Sequence, residues 1–415
     1  MRSPFLLLIV LACCGLAGST PPELKAQSPT YGEDRAFLES HVPIVELVDG
    51  ERRLVVVPAW QGRVMTSTLA GEDGLSQGWI NRPVIEQGVL PEAERAGKLQ
   101  QHIHVFGGEE RLWLGPEGGP FSFYFAPGAK QTFANWRVPA VIDTQAWPVV
   151  NQSANAVTLR TEAALTHTGG RTFTMTLQRT VRLLTREGLE RFLAVPLAPD
   201  IELVAYASVN RITNRGDFAW TRETGMPSIW ILGMYPPSPR TVAVIPLLEP
   251  PGPEAGPTVN TAYFGEPEPD QLAITPFAVY FRGDGRHRAK IGVPWALSTG
   301  RAGSYAADTG VLTLVATDKP DEPRPYVNSL WGDQADPFGG DLINAYNDGP
   351  PEPGADPLGP FYELETSSPA AELAPGESLN HVQITVHARG PEESLDSMSR
   401  MLLHAGLDEI EAGLD

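Results

Sequence analysis

Residues 326–373 read YVNSLWGDQADPFGGDLINAYNDGPPEPGADPLGPFYELETSSPAAEL. Gly and Pro recur too often here for a long helix, so the segment must be loop that feeds short strands. It sets Asp333, Asp336, Asp341, Asp348, Asp356, Glu363 and Glu365 among Trp331, Phe338, Tyr346, Phe361 and Tyr362. The spacing over 360–366 predicts a strand with Phe361, Glu363 and Glu365 on one face. Carboxylates two positions apart then project the same way, roughly 7 Å from each other. Carboxylates and the amides of Asn328, Asn344 and Asn347 can hold vicinal hydroxyls with paired hydrogen bonds, and flat aromatic rings suit the C–H faces of sugars. A carbohydrate pocket needs that combination. A turn-rich acidic surface loop would share the composition.

The N-terminus reads as an export leader. Met1 and Arg2 precede the apolar run FLLLIVLA at 5–12, a secretory signal rather than a span, which takes roughly 20 apolar residues. Residues 10–13, VLAC, resemble a bacterial lipobox, making Cys13 the lipidated first residue of an exported lipoprotein. Cleavage near Gly18 is the other reading. We expect 1–18 as leader, 19–30 (STPPELKAQSPT) as a flexible tether and 31–415 as the folded domain. An acyl anchor would hold that domain at a bacterial membrane, on the periplasmic or cell-surface side.

The chain has two cysteines, Cys13 and Cys14, so the domain itself holds neither a disulfide nor a thiol metal site. A net charge of −19 argues against nucleic acid and against anionic lipid. The expected partner is a carbohydrate bound by a monomer, with no membrane contact beyond the anchor.

Forty-one Gly and 40 Pro suit many short strands and tight turns. Alternating runs at 157–165, 172–184, 273–282, 289–297, 311–316 and 379–388 predict strands, and no amphipathic helix intervenes as βαβ units would require. The expected fold is therefore all-β, a large antiparallel sandwich with a few short helices. In 172–184 only Arg179 interrupts the apolar face. In 379–388, His381, Gln383, Thr385 and His387 are assigned to a hydrated face opposite Val382, Ile384 and Val386. Residues 31–41 suit a short helix, and 391–405 an amphipathic one with Leu395, Met398, Met401 and Leu402 as its buried stripe. Arg286, His287, Arg288 and Lys290 form the only local basic cluster. It reads as a hairpin tip, an anion site, or a partner for the acidic segment.

A second polar constellation occupies 102–120, HIHVFGGEERLWLGPEGGP. If extended, it sets His102 and His104 on one face, and Arg111 with Trp113 on another stretch. Glycines beside Glu109 and Glu117 would let a ligand approach the backbone. A His-x-His metal pair with Glu109 lacks a fourth ligand, so no metal is assigned.

Leu364-Glu365-Thr366-Ser367, after aromatic residues and before Pro369, resembles the C-terminal strand of aldose 1-epimerases (galactose mutarotases). The longer run NSLW…PFGGD…NAYNDGP…GPFYELETSSPA is similar to an uncharacterised, often lipoprotein-borne branch of that superfamily. The resemblance implies a mutarotase-like supersandwich, Glu365 as catalytic base with Glu363 as alternate, and His102 or His104 as acid. It also implies a sugar site lined by Arg111, Trp113 and Glu117, with Asn328, Trp331, Asp341, Asn344, Tyr346, Asn347 and Asp348 from the late segment. Ile212-Thr213-Asn214 resembles the strand that precedes the family's acid histidine, yet no histidine lies between Thr213 and Tyr235; Glu223, Ser228 and Trp230 stand there instead.

Three readings follow. The first is an enzyme acting at an anomeric carbon, by mutarotation or by cleavage of a glycosidic bond with two carboxylates. The second is a sugar-binding lipoprotein without catalysis. In the third, Asp333, Asp336, Asp341 and Asp348 hold a Ca²⁺ that stiffens the loop. No other cofactor is expected.

Overall fold

The computed structural model describes residues 28–249, 259–351 and 354–414. Cys13, the leader and most of the tether lie outside the described residues, as does most of the proline-rich turn at 249–256. Helix α1 (Tyr31–His41) opens on a reciprocal cap. Glu33 N donates to Thr30 Oγ1 at 3.2 Å, and Thr30 N donates to the Glu33 carboxylate at 2.9 Å. Thr30, assigned to the tether, is thus already part of the fold.

Eighteen strands, numbered in chain order, form three antiparallel sheets among the described residues. β1 (Val45–Asp49), β2 (Arg52–Val57) and β3 (Arg63–Thr68) make a meander. A five-stranded sheet has the order β13 (Ala289–Pro294), β16 (Asp341–Asn347), β17 (Tyr362–Ser367), β9 (Ser228–Tyr235) and β4 (Arg111–Gly115). The ten-stranded sheet begins with β11 (Leu272–Ile274), β12 (Ala278–Arg282), β10 (Thr241–Pro246), β14 (Arg301–Ala306) and β15 (Val311–Thr317). It continues through β18 (Ser378–Arg389), β8 (Glu202–Asn214), β7 (Thr172–Leu183), β6 (Ala156–Thr166) and β5 (Val149–Gln152).

The two large sheets face each other, as expected of a sandwich. Leu112, Ile229 and Ile231 of the smaller pack with Phe173, Leu177 and Tyr206 of the larger. Tyr362 and Leu364 pack with Ala243 and Val315. The outer face of the ten-stranded sheet is covered as well. Val242, Leu312, Ile384 and Val386 lie under the C-terminal helix α4 (Glu392–Leu403), whose Leu395, Met398 and Leu402 face them. Three further helices, α2 (Arg82–Gln87), α3 (Arg186–Leu193) and α5 (Leu407–Glu411), are short, numbered after α1 with α4 set aside. Met401, placed in the buried stripe from sequence, is 41% exposed. Six positions after Leu395 it has turned well past the 3.6-residue stripe.

The helix layer also overturns the assignment of β18. Ile384 and Val386 point out, into the helices, so His381, Gln383, Thr385 and His387 point into the sandwich and are buried. They answer to charges there. Arg179, the interruption on β7, donates to Glu110 at 2.6 Å, and both side chains are fully enclosed. Gln383 and Thr385 donate to the second Glu110 oxygen at 3.1 and 3.4 Å. Beside it, Glu109 contacts His387 Nε2 at 3.1 Å and accepts from Ser67 Oγ at 2.9 Å. Burial pushes His381 down to about 3, so it is neutral where it bridges Thr366 and Thr317.

Arg179→Met should lower unfolding stability by about 3–5 kcal/mol, because Glu110 would stay buried without its countercharge. Adding Glu110→Gln should recover part of that loss in urea denaturation. A double variant no more stable than the single one would show that the pair is not the cause.

Candidate functional site

β17 has alternating faces. Leu364 and Thr366 point into the sandwich, so Glu363 and Glu365 point out through the opposite face of the five-stranded sheet. Register decides their neighbours. Glu363 lies between Tyr346 of β16 and Met234 of β9, and Glu365 between Asn344 and Leu232. Arg111 pairs beside Leu232 and Trp113 beside Trp230. On the other flank Lys290 pairs beside Tyr346. Directly paired residues share a face, so one surface collects two carboxylates, two cations and two indoles.

These groups are wired together. Lys290 Nζ donates to both Glu365 oxygens, at 2.9 and 2.8 Å, and Trp230 Nε1 donates at 2.9 Å. Lys290 also rides 4.5 Å above the Trp230 ring. Glu365 is 0% exposed, and a carboxylate, purely an acceptor, suits the donors aimed at it. Glu363 accepts from Arg111 Nη2 at 2.8 Å, while the guanidinium lies 4.5 Å over Trp113. Burial pushes the Glu363 carboxyl up to about 7; Arg111 pulls it back and the Glu365 charge adds to the rise. Burial thereby favours the protonated form of Glu363 near neutral pH.

The rim is built by loops. Glu117 leaves β4 through Pro116 and is half-buried. Burial raises its carboxyl, Lys290 lowers it, and the nearby Glu365 charge raises it. A side chain at Gly118 would collide with the backbone of Leu330 and Trp331, so glycine lets the Glu117 turn lie against that loop. Opposite, Tyr263 donates to Asp341 at 2.7 Å, accepts from Asn344 at 3.3 Å and comes 5.4 Å from Lys290 Nζ. Asn260 donates to the same Asp341 oxygen at 2.9 Å. Burial raises the Asp341 carboxyl, which these donors oppose.

Of the residues named from sequence, Arg111, Trp113, Glu117, Asn344, Tyr346, Glu363 and Glu365 gather at this face, with Asp341 behind Tyr263. The histidines do not join them. His104 is buried with Nδ1 3.2 Å from Asp143 and its ring 5.6 Å from Phe106. His102 meets Arg137 and the Trp136 carbonyl through Nδ1, at 2.8 and 2.9 Å. The extended stretch expected there does not form. His102 closes a short 3-10 turn over Leu99–Gln101 with helical φ −104° and ψ −50°, and Gly107 and Gly108 then turn the chain with φ of 89° and 108°. Asn328 instead holds its own loop, accepting from Leu330 N and donating to the Asp336 carbonyl. Asn347 ties the hairpin tip through Asp284 and the His287 carbonyl. Asp348 accepts from Tyr346 Oη at 2.6 Å and Gly359 N at 2.8 Å, so it orients the tyrosine.

The calcium arrangement is not assembled. Asp341 and Asp348 sit at opposite ends of β16, more than about 20 Å apart by strand rise, and Asp336 accepts from Phe338 N. Among the described residues no group of three His, Cys, Asp or Glu could hold a metal.

Tyr263 is the member that sequence reasoning missed; Trp230 was noted without a role, and Lys290 lay in the basic cluster read, among other roles, as a partner for the acidic segment. The basic cluster divides: Arg286 and His287 stay at the hairpin tip, while Lys290, on β13, turns to Glu365. One signal was present, since two buried carboxylates with no cation in their own segment require one from elsewhere.

Among solved structures the chain is similar to a candidate aldose 1-epimerase from Escherichia coli K12, at 14% identity and a TM-score of 0.46, over 84% of this chain and 99% of that one. The Slr1438 protein of Synechocystis sp. PCC 6803 aligns at 14% identity and 0.47, over 84% and 96%. A galactose mutarotase-like protein from Lactobacillus casei aligns at 9% and 0.42, over 84% and 99%. No curated protein matches the sequence. The family described as one of unknown function, DUF6786, matches residues 29–414. With nearly the whole described chain inside that match, the protein belongs to the DUF6786 family.

Proposed function

We propose that the domain binds a carbohydrate on the outer face of the five-stranded sheet and acts at its anomeric carbon. One observation carries this reading: Glu363 and Glu365 share a face beside Arg111, Lys290 and two indoles, with the Glu363 carboxyl raised to about 7. In mutarotation Glu365 takes the O1 proton as Glu363 protonates the ring oxygen, and the ring opens to the aldehyde. After rotation about C1–C2, the C5 hydroxyl closes the ring. Its proton passes to Glu363 and Glu365 returns its own to O1, so both groups end as they began. Lys290 must shift from one Glu365 oxygen to admit the sugar hydroxyl, and its charge then steadies the developing alkoxide. The resemblance of the Leu-Glu-Thr-Ser run to the mutarotase base strand supports the same assignment.

Binding without catalysis is the second reading. It is favoured by the complete enclosure of Glu365 between Lys290 and Trp230, with no histidine at hand. We also propose, from residues 10–13, that the protein is an exported lipoprotein acylated at Cys13.

Polarimetry on freshly dissolved aldoses should show faster equilibration, slowed by roughly 10²–10⁴-fold in Glu365→Gln. Unchanged rates with saturable sugar binding would leave the binding module. Glu363 contributes to the pH dependence. From its ordinary 4.5 to about 7 the folded protein holds a proton that the unfolded chain has released, so stability falls as pH rises through that interval. The rate should fall as pH rises through about 7, where the folded protein loses this acid. Glu363→Gln should flatten the thermal midpoint over the same range; a slope equal to wild type would remove Glu363 from this role. Radiolabelled palmitate should enter the wild type and not Cys13→Ser, and label retained in the variant would refute acylation at Cys13.

A further inference from the structure

The rings beside the carboxylates continue outward. Trp230, bonded to Glu365, meets Trp113 edge-on with centroids 5.6 Å apart. Trp113 lies 6.3 Å from Trp136. Trp136 bridges Trp331 at 6.1 Å and Phe133 at 6.0 Å, with interplanar angles of 30° and 24°. His102 closes the row, stacked on Phe133 at 4.3 Å. Trp230, Trp113 and Trp136 are buried, whereas Trp331 and Phe133 are 38% and 48% exposed. The row thus leads from the carboxylates to solvent and ends in flat apolar rings.

The outer end of the row is held in place. Gln131 Oε1 accepts from Gly119 N and Gly332 N, each at 2.8 Å, and its Nε2 donates to the Gly119 carbonyl at 2.7 Å. That amide ties together the turn after Glu117, the Trp331 loop and the segment that carries Phe133. A platform ordered in advance loses little conformational freedom when a ligand settles on it.

We propose that the site takes the end of a sugar chain, an oligosaccharide rather than a free monosaccharide, with the rings that follow lying on Trp331 and Phe133. The proposal rests on the carbohydrate reading of the carboxylate face. A single ring seated there leaves the outer aromatics uncovered. A chain lays apolar C–H faces on them.

Calorimetric titration would use glucose and galactose beside malto-, cello- and β-1,4-galacto-oligosaccharides. An oligomer of at least one series should bind about tenfold or more tighter than its monomer. Phe133→Ala and Trp331→Ala should each remove that gain, and Phe133→Ala should leave monosaccharide affinity unchanged. Equal affinities for monomer and oligomer, or a gain that survives both variants, overturn the extended site and leave the carboxylate site standing. No binding by any of these sugars to the wild type overturns both.

Discussion

Charge buried on either face of one strand must be matched from distant parts of the chain, and that requirement organises the molecule. On one side of β17, Glu363 and Glu365 meet Arg111 and Lys290. On the other, Thr366 enters the network of His381, Gln383 and Glu110 that Arg179 neutralises. An unpaired ion in either layer would cost several kcal/mol. Segments around residues 110, 179, 290 and 383 are therefore drawn to the middle of the molecule.

The same pairing underlies the proposed chemistry. Glu363 and Glu365 differ by two positions, yet their surroundings treat them differently. Glu365 receives three donated hydrogen bonds, two of them from an ammonium. Glu363 receives one strong bond from Arg111 and otherwise loses water, which raises its carboxyl. On the proposed reading, Glu363 as proton donor would stand beside Glu365 on one strand. The aromatic row beside them belongs to a different cause, the packing of loops that follow β4 against the loop that precedes β16.

Much of this was legible in local pattern. Helix α1 has the bounds read from the sequence, 31–41. Period-two alternation located β6, β7, β17 and β18 to within a residue or two, and it correctly joined Glu363 with Glu365 and Arg111 with Trp113. It failed where a third layer changed what alternation means. β18 has a polar and an apolar face, but the helices bury the apolar one and the sandwich takes the polar one. It failed also at the histidine stretch, where His102 closes a 3-10 turn and positive φ at Gly107 and Gly108 then turns the chain.

What the sequence by itself determined is the class of fold and the acidic, aromatic strand at its centre, because side-chain period and turn residues act over a few positions. Only the tertiary structure decided which cations and indoles serve that strand. Arg111 lies 252 residues from Glu363, and Lys290 lies 75 from Glu365. Strand order and register bring them together, and neither leaves a mark on the local pattern of the segments concerned.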